Sequence, residues 1–201
     1  MTLIALPDTE NIVLNGTPRL NSPTQVNRSR WTGARKVVGQ PGAETWTASV
    51  TIGPLVTEDE ERPWRAFLFA LGGPENSFRW LLPCNRHIGG KPAVDTGAGN
   101  AYTLPLTGMA ASTTILRAGQ WMTVPLPSGR YRAVCLTADL ITDSSGEATA
   151  SFKPALGETP TLGATVETGA PFIDFAPTAS VMGLDGDDGV SGVSFDVEEA
   201  R

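Results

Sequence analysis

His87 is the only histidine in 201 residues, and Cys84 stands three positions before it, a C-x-x-H pair of metal-ligand types. Structural zinc takes four ligands and no second pair follows at a matching spacing, so the pair predicts no metal centre. A Ser-His-Asp triad would have to draw on the same His87, and no G-x-S-x-G elbow is present to raise a serine nucleophile. Asp185-Gly186-Asp187-Asp188-Gly189 has the look of a calcium loop. Gly189 stands where a fifth ligand belongs, however, and Asp196 replaces the Glu required at the twelfth position, so a solvated turn is the better reading. Gly97-Ala98-Gly99 lacks both the third glycine of a dinucleotide fingerprint and a Walker lysine. Glu58, Asp59, Glu60 and Glu61 are consecutive, which suits the start of a helix better than paired acid–base work. Trp31 and Trp121 lie in polar contexts where a sugar could stack, whereas Trp46, Trp64 and Trp80 fall on apolar faces and read as core. No catalytic residue, metal or cofactor is expected.

Composition narrows the class. Hydrophobic residues make up 40% and charged residues 18%, enough apolar surface for a buried core in one large β domain or two small ones. Twenty-two Gly and 16 Pro without a collagen-like period predict many turns between short strands. Neither a secretory signal nor a long apolar span is visible, so a soluble protein made in a cytoplasm, with no membrane partner, is expected. Cys84 and Cys135 are too few for a disulfide framework and read as buried, reduced thiols.

The net charge of −6 is unevenly spread. Between Asn11 and Ala43 there is no Asp or Glu, yet Arg19, Arg28, Arg30, Arg35 and Lys36 all fall there. From Asp139 onward twelve acidic residues face only Lys153 and Arg201. A basic face meeting an acidic face head to tail would build an oligomer, and such a heterologous interface closes into a ring when the rotation permits. Arg19, Arg28, Arg30, Arg35 and Lys36 against Asp185, Asp187 and Asp188 are the candidate subunit-interface residues. The acidic balance argues against a nucleic-acid reader.

The elements that would position these residues are mostly strands. Leu3–Leu6 and Ile12–Leu14 suggest short strands, and Thr17–Arg30 reads as an extended arm or long loop. Trp31–Val38 predicts the first arm of a hairpin turning at Gln40-Pro41-Gly42. Its return arm alternates cleanly, with Trp46, Ala48, Val50 and Ile52 on one side. The one helix follows: Thr57 and Glu60 have capping-box spacing, and Trp64, Phe67, Leu68 and Leu71 form one apolar stripe. Gly72-Gly73-Pro74 predicts its left-handed end, while Pro63 predicts a separate first turn or a bend. Ser77–Leu82 reads as a strand with Phe78, Trp80 and Leu82 on one face. Residues 89–99 have linker composition and predict a domain boundary. Beyond them, turn signals at regular spacing predict a small barrel or sandwich, including a Trp121–Leu126/Tyr131–Ala138 hairpin across Pro127-Ser128-Gly129. Val193, Phe195 and Val197 alternate in a last strand. The expected core is Trp46, Val50, Ile52, Trp64, Phe67, Leu68, Leu71, Phe78, Trp80 and Phe195.

The order of these motifs carries a resemblance. A W-x-A-x-V-x-I strand (Trp46 to Ile52) leads into the acidic helix W-R-A-F-L-x-x-L-x-G (Trp64 to Gly73), and an F-x-x-x-L-P strand (Phe78 to Pro83) follows. L-R-A-G-Q-W-M-T-V (Leu116 to Val124), D-S-S-G-E-A-T-A-S-F-K-P-A-L (Asp143 to Leu156) and a terminal V-S-F-D-V-E-E-A complete the set. Over most of 40–201 the chain resembles the distal tail proteins of long-tailed bacteriophages with non-contractile tails. The resemblance implies an all-β protein with one short helix: a β-sandwich ring domain, 1–90 with 182–201, and an inserted small OB-like β-barrel, 91–181. It further implies a hexameric ring at the virion tail tip, synthesised in the bacterial cytoplasm. Its partners would be its own copies, the tail tube protein and the tail-tip hub protein, with DNA passing the lumen unbound. Two other readings stay open: another tail component (tube, terminator or hub-associated protein), and a host-glycan-binding module using Trp31 or Trp121.

Overall fold

The computed structural model describes residues 1–8, 17–82, 87, 89–96, 101–180, 183–187 and 190–201; for 185–187 and 190 it describes the backbone. The strands in chain order begin with β1 (Leu3–Ile4), β2 (Arg19–Asn21), β3 (Thr24–Arg28), β4 (Arg35–Gly39) and β5 (Thr45–Leu55). The helix α1 (Glu58–Leu71) and a 3₁₀ turn (Gly73–Glu75) precede β6 (Ser77–Leu81). Then come β7 (Ala93–Val94), β8 (Thr103–Thr107), β9 (Thr114–Leu116), β10 (Trp121–Pro125) and β11 (Tyr131–Leu136). The last are β12 (Leu140–Ile141), β13 (Ala148–Lys153), β14 (Phe172–Pro177), β15 (Asp185–Asp187) and β16 (Val190–Glu199). The protein is therefore all-β with one α-helix among the described residues, and that helix is neither long nor apolar enough to cross a membrane.

The chain divides into two compact units. The first comprises Met1–Leu20, Thr45–Trp80 and Asp174–Arg201. Its sheet runs β1-β6-β14-β16-β5-β2, with β15 paired to β16. β16 lies between β14 and β5, antiparallel to both, and sets Phe195 opposite Val50 and Val197 opposite Ala48. Strict alternation decides the two faces: Trp46, Ala48, Val50, Ile52, Phe195 and Val197 are buried, and Ser49, Thr51, Ser194, Asp196 and Glu198 are exposed.

α1 covers the apolar face because its own sequence makes one. Thr57 is the N-cap, its hydroxyl accepting from the Glu60 N–H while the Glu60 carboxylate accepts from the N–H of Thr57 and Val56. Gly72 ends the helix at φ 61°, ψ 36°, a left-handed conformation that costs glycine nothing. Pro63 neither splits nor delays the helix, which runs unbroken through it; the missing N–H leaves only the Asp59 carbonyl without its helical donor. Trp64, Phe67, Leu68 and Leu71 are buried, and Phe67 packs edge-on against Trp64 (centroids 5.6 Å) and Phe78 (5.7 Å). Trp80 meets Phe175 at 5.8 Å in the same manner.

The second unit comprises Asn21–Glu44 and Leu81–Ile173. A sheet of order β10-β11-β13-β8-β7 is joined by the two-stranded pairs β12-β9 and β3-β4. Leu104, Leu106, Leu116, Met122, Val134, Leu136, Phe152 and Val166 centre its core. β10 and β11 pair in register from Trp121↔Cys135 to Pro125↔Tyr131, across the turn that Pro127-Ser128-Gly129 predicts.

Two expectations change. The division falls after Trp80 and before Asp174, not at 90/91 and 181/182, and 21–44 groups with the second unit. Hydrogen bonds account for the shift: the Leu82 N–H donates to Pro171, and Phe172 exchanges both backbone groups with the Thr123 hydroxyl at 2.8 Å. The described part of the Gly/Pro-rich stretch, 89–96, holds β7 and belongs to the second unit. Secondly, β4 does not pair forward with β5 around Gln40-Pro41-Gly42; it pairs backward with β3. β5 already has β16 and β2 along its two sides, so no place is left beside it.

Candidate functional site

Among the described residues, His87 and the acidic start of α1 have structural partners. His87 Nδ1 lies 2.9 Å from the Thr168 hydroxyl, and Cys84 falls outside the described residues. Cys135 is half-buried, and burial pushes its thiol up, away from the thiolate a nucleophile needs. Of the four acidic residues opening α1, Glu60 closes the cap, Glu58 and Asp59 pair with Arg62, and Glu61 pairs with Arg65 at 2.6 Å. No group of three or more His, Cys, Asp or Glu side chains placed to hold a metal occurs among the described residues. The expected core residues Trp46, Val50, Ile52, Trp64, Phe67, Leu68, Leu71, Phe78, Trp80 and Phe195 are all buried.

What stands out instead is a bare ribbon. β3 and β4 form a hairpin whose residues, from Thr24 to Gln40, are all exposed. The register places Val26 opposite Val37 and Arg28 opposite Arg35, so these four side chains share one face, while Val38 and Lys36 lie on the other. Val26, Val37 and Val38 keep 47%, 47% and 43% of their surface in solvent. The loop between the strands is tightly tied. The Ser29 N–H donates to Ala34, its hydroxyl accepts from the N–H of Trp31 and Thr32, and Gly33 turns the chain at φ 68°. That loop holds Trp31 out at 97% exposure beside Arg30.

The root of this arm is fixed as firmly as its tip. Glu44, five residues past β4, is only 5% exposed; its carboxylate accepts from the Ala155 N–H at 2.7 Å and stands 3.5 Å from Lys153 Nζ. Buried Arg132 donates to the carbonyls of Glu44 (2.6 Å) and Ala155 (3.1 Å). A buried charge needs such partners, so this node anchors the segment to its unit.

Among the described residues the cations divide into those with a carboxylate partner and those without, and Arg19, Arg117 and Arg130 join the arm's cations in the second group. Arg62, Arg65, Arg79, Lys91, Lys153 and Arg201 each have a carboxylate within 4.0 Å. Arg28, Arg30, Arg35 and Lys36 have none among the described residues. The candidate interface residues are thus gathered in part: those four share the arm, whereas Arg19 belongs to β2 of the first unit. Asp185 and Asp187 lie on β15, their side chains undescribed, and Asp188 falls outside the described residues.

In the first unit, the outer face of β5 and β16 is a polar floor. Thr17, Arg19, Thr47, Ser49, Thr178 and Asp196 line a groove of about 640 Å³ there. Thr51 and Ser194 share a hydroxyl hydrogen bond at 3.2 Å, and Glu198 lies two residues beyond Asp196 on the same face. The sequence reading weighed Asp196 only as the twelfth position of a calcium loop and passed over Glu198, although the V-S-F-D-V-E alternation that buries Phe195 and Val197 necessarily turns both carboxylates outward. It also missed Glu44 and Arg132, for which no periodic signal exists.

No family model matches the chain, and no curated protein matches it.

Proposed function

We propose that this chain is a structural subunit of a phage tail tip, forming a ring of copies that joins the tail tube to the hub and lets DNA pass. The observation that carries this reading is the arm: a rigidly rooted, rigidly tipped ribbon with both faces in water and four cations lacking counter-ions. Such a surface serves binding to a macromolecule rather than turnover of a small one. The ordered motifs from Trp46 to Gly73 and from Asp143 to Leu156 support the tail-tip assignment through their resemblance to distal tail proteins. The chemistry candidates that the fold has absorbed into caps, ion pairs and a Thr168 hydrogen bond support a non-enzymatic role.

Image reconstruction of the particle with the protein labelled tests the location; density for it at the junction of tube and hub is expected, and density along the tube or at the head end would move it to another tail component. Replacing His87 with Ala should leave infectivity intact. Normally assembled but dead particles would restore the case for chemistry. A second reading is favoured by Trp31, whose 97% exposure suits stacking on a sugar ring. A glycan array that shows saturable binding lost in Trp31→Ala would establish that reading instead.

A further inference from the structure

We infer that the arm of one copy seats on the outer β5–β16 face of a second copy, with Arg28 and Arg35 against Asp196 and Glu198. The inference rests on the assembly reading above and names the two surfaces that would meet.

An isolated two-stranded ribbon is marginal in water, and this one has no packed face. Its register makes matters worse. Arg28 and Arg35 are directly opposite, and like charges in that relation repel. Anions laid across the pair relieve that repulsion, and two carboxylates match two guanidinium groups in charge and hydrogen-bonding geometry. The chain itself supplies such anions. Residues 11–43 carry five cations and no anion, which leaves the remainder with ten Lys and Arg against 21 Asp and Glu, a net −11.

Within the described acidic surface, Asp196 and Glu198 match the arm best. They stand two apart on one strand, hence about 6.5–7 Å from each other, within reach of two arginines on adjacent strands. Neither has a cation within 4.0 Å among the described residues, although Arg19 lines the same groove as Asp196. The hydroxyls of Ser49, Thr51 and Ser194 around them can take the remaining guanidinium N–H groups. Strand addition at the edges of the β5–β16 sheet is the obvious competitor for that unit, but β1 has two residues and β2 three, too short a template to hold a subunit. A nucleic acid would satisfy the arm's charge but not the −6 of the whole chain.

Sedimentation equilibrium of the full chain at ~50 mM salt decides the matter, with thermal unfolding as the check that each variant folds. The wild type should self-associate and dissociate as salt rises. Arg28→Glu with Arg35→Glu should weaken association about tenfold or more, and Asp196→Lys with Glu198→Lys likewise. Mixing those two variants one to one should restore binding as a heterodimer, because each then offers the surface the other needs. A wild type monomeric at every concentration overturns the inference; so does association indifferent to either pair, or lost in both without rescue on mixing. Binding of duplex DNA that Arg28→Glu with Arg35→Glu abolishes would assign the arm to nucleic acid and overturn it as well. Heterodimer rescue in a protein absent from tail tips would uphold these surfaces and sink the tail-tip role. A monomer found at the tail tip would do the reverse.

Discussion

Phe67 shows how much of this protein rests on single side chains. Its ring is 4% exposed and wedged between Trp64 and Phe78, so Phe67→Ala removes both edge contacts and leaves a cavity. The substitution should cost ~3–5 kcal/mol, read as a lower urea midpoint at an unchanged slope. Asp143 makes a different kind of contribution. The N–H groups of Glu147 and Ser145 donate to its carboxylate and hold its pKa below the ordinary 3.8. A depressed carboxyl favours the folded state above its unfolded pKa and loses that advantage as pH falls through its folded one. The stability gap between wild type and Asp143→Ala should therefore be constant at neutral pH and close below about pH 4; a gap of the same size in unfolding curves from pH 7 to pH 2 would mean that the ionised carboxylate is not its cause. Residues of this sort are legible to different degrees. Phe67 announces itself by its place in the Trp64–Leu71 stripe and Asp143 by its D-S-S-G turn. Glu44 and Arg132 do not, because what makes them structural is a partner over eighty positions away.

Among the elements, α1 was the easiest to read and β3–β4 the hardest, for one physical reason. A helix advertises itself through local chemistry: Thr57 and Glu60 at one end, Gly72 at the other, and a 3.6-residue apolar period between. Thr57→Ala should accordingly cost about 1 kcal/mol, and Thr57→Ser almost nothing; equal losses in a thermal melt would mean that the hydroxyl is not the cap. β5, β6, β13 and β16 declare themselves by alternation, since each has one buried face. The arm has no buried face, so it leaves no period to find. Its strands show only as a run of cations and valines, and a hairpin drawn forward to β5 looks as good as one drawn back to β3. Alternation states which way a side chain points and is silent about which strand lies alongside.

That silence extends to the chain's two units. The linker-like composition of 89–99 invites a boundary there, yet the hydrogen bonds of Leu82, Thr123 and Phe172 put it elsewhere. Long-range pairing of this kind has consequences for assembly as well as for fold. On the proposed reading a ring subunit must not polymerise at random, and the short outer strands β1 and β2 of the first unit's sheet give strangers little to grip. On the inference drawn above, charge on the arm and on the β16 face would govern which copy meets which, and salt how readily.

The position of β16 also sets a timetable. It is translated after every other strand described here, but it occupies the interior of its sheet, between β14 and β5. While a ribosome is still making it, the stretch from Leu81 to Ile173 can close its own core, whereas β5 and α1 must wait with their aromatic surface unsheltered. Nascent chains arrested before Val190 should resist protease across 101–173 and be cut within 45–80, and release of the last strand should abolish that cutting. The slowest-maturing part of the subunit would then be the part that, on our inference, carries Asp196 and Glu198, so a chain could not recruit a neighbour until its own synthesis had passed that point.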